Sequence, residues 1–449
     1  MRFLISLVTL VAAWFAFAPS IAVAAGGPSL VRDAEIEAYL RDYTTPIFVA
    51  AGLDPASIHI YLVNDPRINA FVAGGMNLFL HTGLLVQAQT ANQVIGVIAH
   101  ETGHIAGGHL VRFKDVQRAA TIESIIAMVL GIGAGVASGQ PGAAGAGVIA
   151  GPGLATTQLL QYTRTQEASA DSAGLSFLDA TGQSARGMYE IFDYLLKDSR
   201  LTGSATANPF LQTHPLTQQR MDHIQQHMAD SPFTNVPLNP QLEEDQRRIR
   251  AKIVAFMQPL GDVMKAYPEN DTSFAARYAR AIAWYRAADL AKAAPAVDQL
   301  ILEEPNNPYL KELKGQMLFE NGHTAESVEA YRQAVKLAPD SPLLRIGLAQ
   351  SLVETNDATA NGEAIQHLEV ATGLEPANIQ GWRLLTVAYG RNNQLPMVAL
   401  AQAEIAMLQG QDKKAKEYAR RAQDGLPLGS PGALRAEDIL FQVSKDQDD

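Results

Sequence analysis

Three prolines in the last third of the chain recur at a spacing that few folds can meet. Pro305, Pro339 and Pro376 lie 34 and 37 residues apart, in three versions of one turn: "EEPNNP", "LAPDSP" and "LEPAN". Between the first two, Gly315, Tyr331, Ala334 and Pro339 stand at the offsets of a helix–turn–helix unit of 34 residues. The longer interval carries a short insertion near "NDATANGEA". After it, Trp382, Leu385 and Tyr389 have the W-x2-L-x3-Y spacing that opens such a unit, and "DKKAKEYARRAQDGLP" reads as one more second helix. A helix pair of this length cannot bury its apolar face alone, so successive pairs must stack on one another.

Over roughly residues 273–428 this pattern resembles the tetratricopeptide repeat family. The resemblance implies a curved α-solenoid with a concave peptide-binding face, and we expect residues 270–449 to form it. The connection is read over 229–269. A Pro/Asn/Ser linker at 229–240 is followed there by a charged, amphipathic helix, Gln241–Met257.

The 449 residues suffice for two or three domains. Apolar content of 47% allows a buried core, and a formal net charge of -11 with no basic stripe argues against nucleic-acid binding. The start reads as an export signal. Arg2 precedes an apolar run from Phe3 to about Phe17, and Ala22-Val23-Ala24 is a small-x-small cleavage site. Residues 1–24 are thus an expected signal peptide. A membrane anchor is disfavoured because the run is short and Pro19 and Ser20 interrupt it. There is no cysteine, hence no disulfide, no thiolate ligand and no thiol nucleophile. An exported chain of this kind fits a bacterial periplasm.

The first half predicts a helix at Val31–Thr44 and an extended stretch, "SIHIYLVND". A turn at Gly74-Gly75 precedes a strand at Met76–His81. Helix is expected over 90–118 and again over 157–198. Between them, residues 124–155 are apolar and rich in Gly and Ala, but Ser138-Gly139-Gln140-Pro141 divides them into pieces too short to span a bilayer. We read that stretch as close-packed helices or a flap.

The chemistry concentrates at "AHETGHIAGGH", residues 99–109. His100 and His104 are four apart, so a helix puts both imidazoles on one face, one turn apart, as a tetrahedral zinc ion requires. Glu101 adjoins the first of them and can reach an attacking water as general base. His109 falls about 140° from His104 in a continuing helix, off the ligand face, and reads as a helix-end or supporting histidine. A third ligand must come from elsewhere. Glu167 in "YTRTQEASAD" is the best candidate, with Asp171 one turn later able to hydrogen-bond a ligating imidazole. The alternative is a solvated face with Arg164 paired to Glu167. His223 and His227 lie on a Gln-rich polar face, and His59, His81, His323 and His367 have no partner at useful spacing.

H-E-x-x-H, then E-x-x-x-D on a later helix, then "THP" followed by Arg220, resembles the membrane-associated zinc endopeptidases of the HtpX and CAAX prenyl protease type. "NAFVAGGMNLFLHTGLL" resembles the strand and turn before that family's zinc helix, and the match runs from about residue 33 to 228. With the export signal and the repeats, the whole mature chain resembles a periplasmic branch of that family which enhances assembly of outer-membrane β-barrels. The fold implied is α+β and mainly α-helical. A zincin-like metallopeptidase domain with a small β-sheet, residues 25–228, precedes the α-solenoid. By this resemblance one Zn2+ is held by His100, His104 and Glu167, and Glu101 activates the water. Asp171 and Arg220 support the ligands from behind. His214 either stabilises the oxyanion or is a fourth ligand that keeps the site shut.

The expected activity is that of a zinc metalloendopeptidase of the periplasm, with chaperone-like action in outer-membrane protein quality control. Substrate would bind extended along an edge strand formed by Met76, Asn77, Leu78, Phe79 and Leu80. The resemblance implies unfolded or misassembled outer-membrane proteins as substrates, the β-barrel assembly machinery as a partner of the repeats, and peripheral association with a membrane. The competing reading is a repeat-based chaperone or adaptor whose protease site is normally self-inhibited. A purely structural zinc site is disfavoured by the absence of cysteine.

Overall fold

The computed structural model describes residues 29–109, 163–202 and 208–445. The export segment at 1–24 and the Gly/Ala stretch at 124–155 lie outside the described residues. The described chain is α+β and mainly helical, with one small mixed sheet. No helix among the described residues is long and apolar enough to cross a membrane.

The sheet comprises β1 (Leu30–Val31), β2 (His59–Val63), β3 (Ala70–Ala73) and β4 (Asn77–His81), in the order β1-β2-β4-β3. Gly74 and Gly75 have φ of 62° and 92°, a left-handed turn that lets β3 fold back on β4. β2 and β4 are parallel, and the other two pairs are antiparallel. This corrects the expected edge strand. Asn77, Leu78, Phe79 and Leu80 are interior, paired to β2 on one side and β3 on the other, and Met76 lies just outside the strand. Alternation of apolar residues marks a strand but carries no information about how many neighbours it has. Among the described residues the edges are β1 and β3.

Between β1 and β2 runs α1 (Ala34–Ala50), capped by the Asp33 side chain. It continues past the predicted end at Thr44, through Pro46, because Ile47 and Phe48 in its last turn are fully buried. After α2 (Thr82–Gln87) comes α3 (Ala91–Ala106), which carries the H-E-x-x-H motif and is buried from Ala91 to His104. Two helices cross it closely. α4 (Arg164–Ala180) passes where Gly103 faces Ala170 and Gly174 faces Ala99. A Cβ on Gly103 would stand 2.5 Å from the Ala170 carbonyl oxygen. α5 (Arg186–Thr202) is locked by Asn92, which donates to the Ser184 carbonyl and accepts from the Gly187 N–H. The single helix expected over 157–198 is therefore two, broken at Gly182 with φ of 68°. Two further helices, α6 (Pro209–Thr213) and α7 (Gln218–Asp230), complete this part.

A long helix, α8 (Pro240–Met257), belongs to two cores at once. Ile249 and Ile253 pack with the residues of α1–α5, while Ala251 and Ala255 pack with the helices that follow. After α9 (Leu260–Ala266), the chain makes antiparallel helix pairs: α10 (Phe274–Arg286) with α11 (Leu290–Glu303), α12 (Pro308–Glu320) with α13 (Thr324–Leu337), and α14 (Pro342–Glu354) with α15 (Ala358–Leu374). Next come α16 (Ile379–Arg391) with α17 (Leu395–Leu408), and α18 (Asp412–Gly425) with α19 (Pro431–Lys445). The recurring turn has a local cause. Asn307, Ser341 and Asn378 cap α12, α14 and α16, the first two with proline at the first helical position. The glycine offset does too. The Tyr331 ring fills the space where Gly315 and Gly347 lack a side chain.

The array is seated on the first part by buried charges. Lys252 of α8 reaches Asp33 at 2.8 Å and Glu35 at 3.0 Å, and the Tyr278 hydroxyl donates to Glu35. Arg248 pairs with Glu304 and Arg32 with Glu375, while Ala34 is buried in the repeat core beside Tyr331 and Leu344.

Candidate metal centre

Four side chains from three segments converge at the crossing of α3 and α4. His100 and His104 come from α3 and Glu167 from the first turn of α4. His214 follows α6, its backbone N–H closing that helix on the Phe210 carbonyl. All four are essentially fully buried, and one ligand atom from each lies within 4.8 Å of the rest. His100 Nε2 is 3.2 Å from His104 Nε2 and 3.3 Å from His214 Nδ1. Glu167 Oε1 is 3.1 Å from His214 Nδ1 and 3.4 Å from His104 Nε2. A tetrahedral zinc site with ligands at about 2.0–2.1 Å has edges of about 3.3–3.4 Å. These four edges are close to that, and His100 Nε2 is 3.6 Å from the nearer Glu167 oxygen, so the donor set and its size both fit a zinc ion.

Each ligand is oriented from behind. His100 Nδ1 is 2.9 Å from Asp171 Oδ1, so this ring donates outward and turns its Nε2 lone pair inward. Asp171 is gripped by Arg220 of α7, Nε to Oδ2 at 2.6 Å and Nη2 to Oδ1 at 2.8 Å. The same guanidinium reaches Glu167 Oε2 at 2.5 Å and the Pro215 carbonyl at 3.1 Å, tying the segment after His214 to α4. The solvated Arg164–Glu167 alternative does not occur, since Glu167 is 1% exposed.

His104 is oriented by His109, their Nδ1 atoms 2.9 Å apart. A continuing helix would have carried His109 away. Instead Gly108 takes φ of 63° and the His109 N–H closes on the His104 carbonyl, a left-handed helix stop that folds the ring back. The Gly107-Gly108 pair was the signal for this. The remaining histidines stay outside the group: His223 is exposed near Ser172, and His227 is half-buried beside Asp179 rather than solvated. His59 and His323 are exposed, His81 is buried in the sheet by Asp65, and His367 lies against Arg345.

Glu101 has a different environment. It is fully buried, and neither carboxylate oxygen makes a hydrogen bond among the described residues; His214 Nε2 stands 3.4 Å from its Oε1. Burial raises its carboxyl above the usual range, against the pull of His214 and His100. A general base poised upward in this way is suited to taking a proton near neutral pH. For Glu167, burial acts upward, but the charge of His214 and the hydrogen bonds from His104 and His214 outweigh it and hold it well below the usual range. Burial lowers His104 strongly, which favours the neutral ligand form. At His214, burial acts downward but Glu101 and Glu167 more than reverse it.

Residues 32–228 match the family described as peptidase family M48. They are a peptidase M48 domain. Relatives extend along almost the whole chain. A putative beta-barrel assembly-enhancing protease of Vibrio cholerae is 25% identical over 427 residues, 92% of this chain and 85% of its own length. The beta-barrel assembly-enhancing protease of Escherichia coli is 25% identical over 433 residues, 94% and 86% of the two chains. The metalloprotease YcaL of Escherichia coli is 26% identical over 176 residues, covering 39% of this chain and 63% of its own. The chain is a metalloendopeptidase, and its buried His100, His104, Glu167 and His214 are the described group able to hold the metal of an M48 domain.

Proposed function

We propose that this chain is a zinc-dependent periplasmic endopeptidase acting in assembly and quality control of outer-membrane proteins, with chaperone-like activity from its repeats. The observation that carries the chemistry is the clustering of four donor atoms at about zinc-site spacing beside a buried Glu101 whose carboxylate makes no hydrogen bond among the described residues. The client class is drawn from the names of the full-length relatives. In this reading residues 1–24 are removed on export and 25–228 are the peptidase domain. Residues 229–269 connect it to a tetratricopeptide array at 270–449, which docks clients and the outer-membrane assembly machinery.

Bound zinc supplies a Lewis acid that polarises the scissile carbonyl and makes water acidic enough to attack. Glu101 takes the proton of the attacking water and delivers it to the leaving amine. Asp171 holds His100 in its ligating tautomer, and Arg220 holds Asp171. The client is read as binding in extended form, held by backbone pairing. Backbone pairing reads an extended shape more than a sequence.

His214 defines the resting state. With Nδ1 at a corner of the donor set, it fills the position that water and substrate need, and the site is shut. When the ring swings out, its Nε2 side, already facing Glu101, is placed to stabilise the oxyanion. This favours a second reading in which chaperone action dominates and cleavage is occasional. Glu101→Gln separates chemistry from folding. The variant is expected to keep one zinc per chain and lose cleavage of an unfolded protein, and retained cleavage removes Glu101 from the mechanism.

A further inference from the structure

A cavity of about 530 Å³ lies between α8, the turn from β1 into α1, and helices α12 and α14 of the array. That is the size of an ordinary ligand pocket, about 300–1,000 Å³. None of the residues lining it belongs to the metal centre. Phe256, Phe319, Tyr331 and Ile346 make much of its wall apolar. Met257 and Glu320, both exposed, stand at its margin.

The charges in the wall do not balance. Arg32 is spent on Glu37 and Glu375, and Lys252 on Asp33 and Glu35. Glu320 accepts from Gln316. Glu312 is left over: its Oε2 is buried without a hydrogen bond, and no cation among the described residues lies within ion-pair distance. Burial, with the nearby Asp33, Glu35 and Glu37 and against Lys252, pushes its carboxyl up to about 8. A lone buried carboxylate is costly, and an incoming cation would relieve that cost. One carboxylate without converging oxygen partners is a poor metal site. Apolar and aromatic walls around one carboxylate instead suit a cation on a long methylene stem.

We propose that this cavity is a recognition pocket for a lysine or arginine side chain, flanked by an apolar residue, in an extended segment of a bound polypeptide. The inference rests on the reading that the repeats dock polypeptides, and it is independent of cleavage. It is tested on the full chain carrying Glu101→Gln, by fluorescence anisotropy with a labelled Gly-Leu-Lys-Phe-Gly peptide and its lysine-to-norleucine counterpart. The lysine peptide is expected to bind about tenfold tighter. Glu312→Gln should bring the two peptides to parity without lowering the melting temperature, since a carboxyl pushed up to about 8 is largely neutral near pH 7 in the free protein and the amide keeps its shape. Gln350→Glu, on the opposite wall, should widen the preference. Equal binding of the two peptides by the parent overturns the proposal. So does a lysine preference that survives Glu312→Gln, or one that Gln350→Glu leaves unchanged. Lysine-selective binding in a chain whose wild-type form cleaves no protein would refute the peptidase reading and leave the pocket standing.

Discussion

Arg220→Met tests the idea that the metal centre is preassembled by buried charge. The guanidinium is 5% exposed and makes two hydrogen bonds to Asp171, an ion pair with Glu167 and a hydrogen bond to the Pro215 carbonyl. Methionine keeps most of the stem but gives up the guanidinium over the Phe192 ring, 5.5 Å from its centroid. What is lost is the counter-charge of two buried carboxylates. Removing one partner of such a cluster costs about 3–5 kcal/mol. The pH dependence adds a sign. In the parent, burial raises the Asp171 carboxyl but Arg220 and His100 outweigh it, so its folded pKa lies below the unfolded one. Its stabilisation is thus present above the unfolded carboxyl pKa of about 4 and lost as pH falls through the folded value. Without Arg220, burial acts with less opposition and the folded pKa rises. The deficit is then greatest near neutrality and shrinks on acidification, as protonation removes a buried charge. Urea denaturation of metal-free protein, followed by circular dichroism at about pH 7.5 and about pH 5.5, measures both terms. A neutral-pH deficit under about 1 kcal/mol, or one that grows on acidification, would refute the reasoning.

Three further outcomes follow from the same geometry. His214→Ala vacates one corner of the donor set, so cleavage of an unfolded protein should speed up while His100, His104 and Glu167 retain the metal; an unchanged or slower rate rejects the plug. His109→Ala removes the partner of His104 Nδ1 and should weaken zinc binding about tenfold or more in competition with a chromophoric chelator. Equal affinity would make that contact incidental. Stripping the metal should lower the unfolding free energy by about 2.7 kcal/mol relative to protein at a hundredfold excess of free zinc over its Kd. Calorimetry with zinc analysis reads this, and a midpoint indifferent to zinc counts against a single tight site.

Where sequence and structure agree, the cause is local. The spacing of His100 and His104 needs only helical geometry, and the recurring turns of the last third need only capping residues at Asn307, Ser341 and Asn378. Where they part, the deciding contact is distant. Nothing within residues 76–81 tells that β4 has strands on both sides, because β2 comes from an earlier segment, with a loop and β3 between them in the chain. Pro46 reads as a stop, but burial of Ile47 and Phe48 carries the helix through it. His109 stays off the ligand face as the helical projection has it, but its contact with His104 comes from the left-handed turn at Gly107-Gly108, which that projection does not contain. Lys252 and Glu312 look like surface charges on amphipathic helices until α8 and α12 meet across a shared cavity.

The way Arg220 is held also limits how the site can open. Its bond to the Pro215 carbonyl, with its grip on Asp171 and Glu167, ties the backbone just beyond His214 to α4. Carrying that whole segment away would break the cluster whose loss costs about 3–5 kcal/mol. Turning the His214 side chain alone leaves the bonds of Arg220 intact and gives up the 3.1 Å contact of its Nδ1 with Glu167. The ring stacks on Phe210 at 4.7 Å, with 25° between planes, and giving up that stack costs about 0.5–1.5 kcal/mol. On the proposed reading, rotation of one imidazole is therefore the less disruptive route, because it leaves His100, His104, Glu167 and the bonds of Arg220 in place. A gate of this kind requires no movement of the repeats against the peptidase domain, and the buried pairs Lys252–Asp33 and Arg248–Glu304 can stay closed throughout turnover.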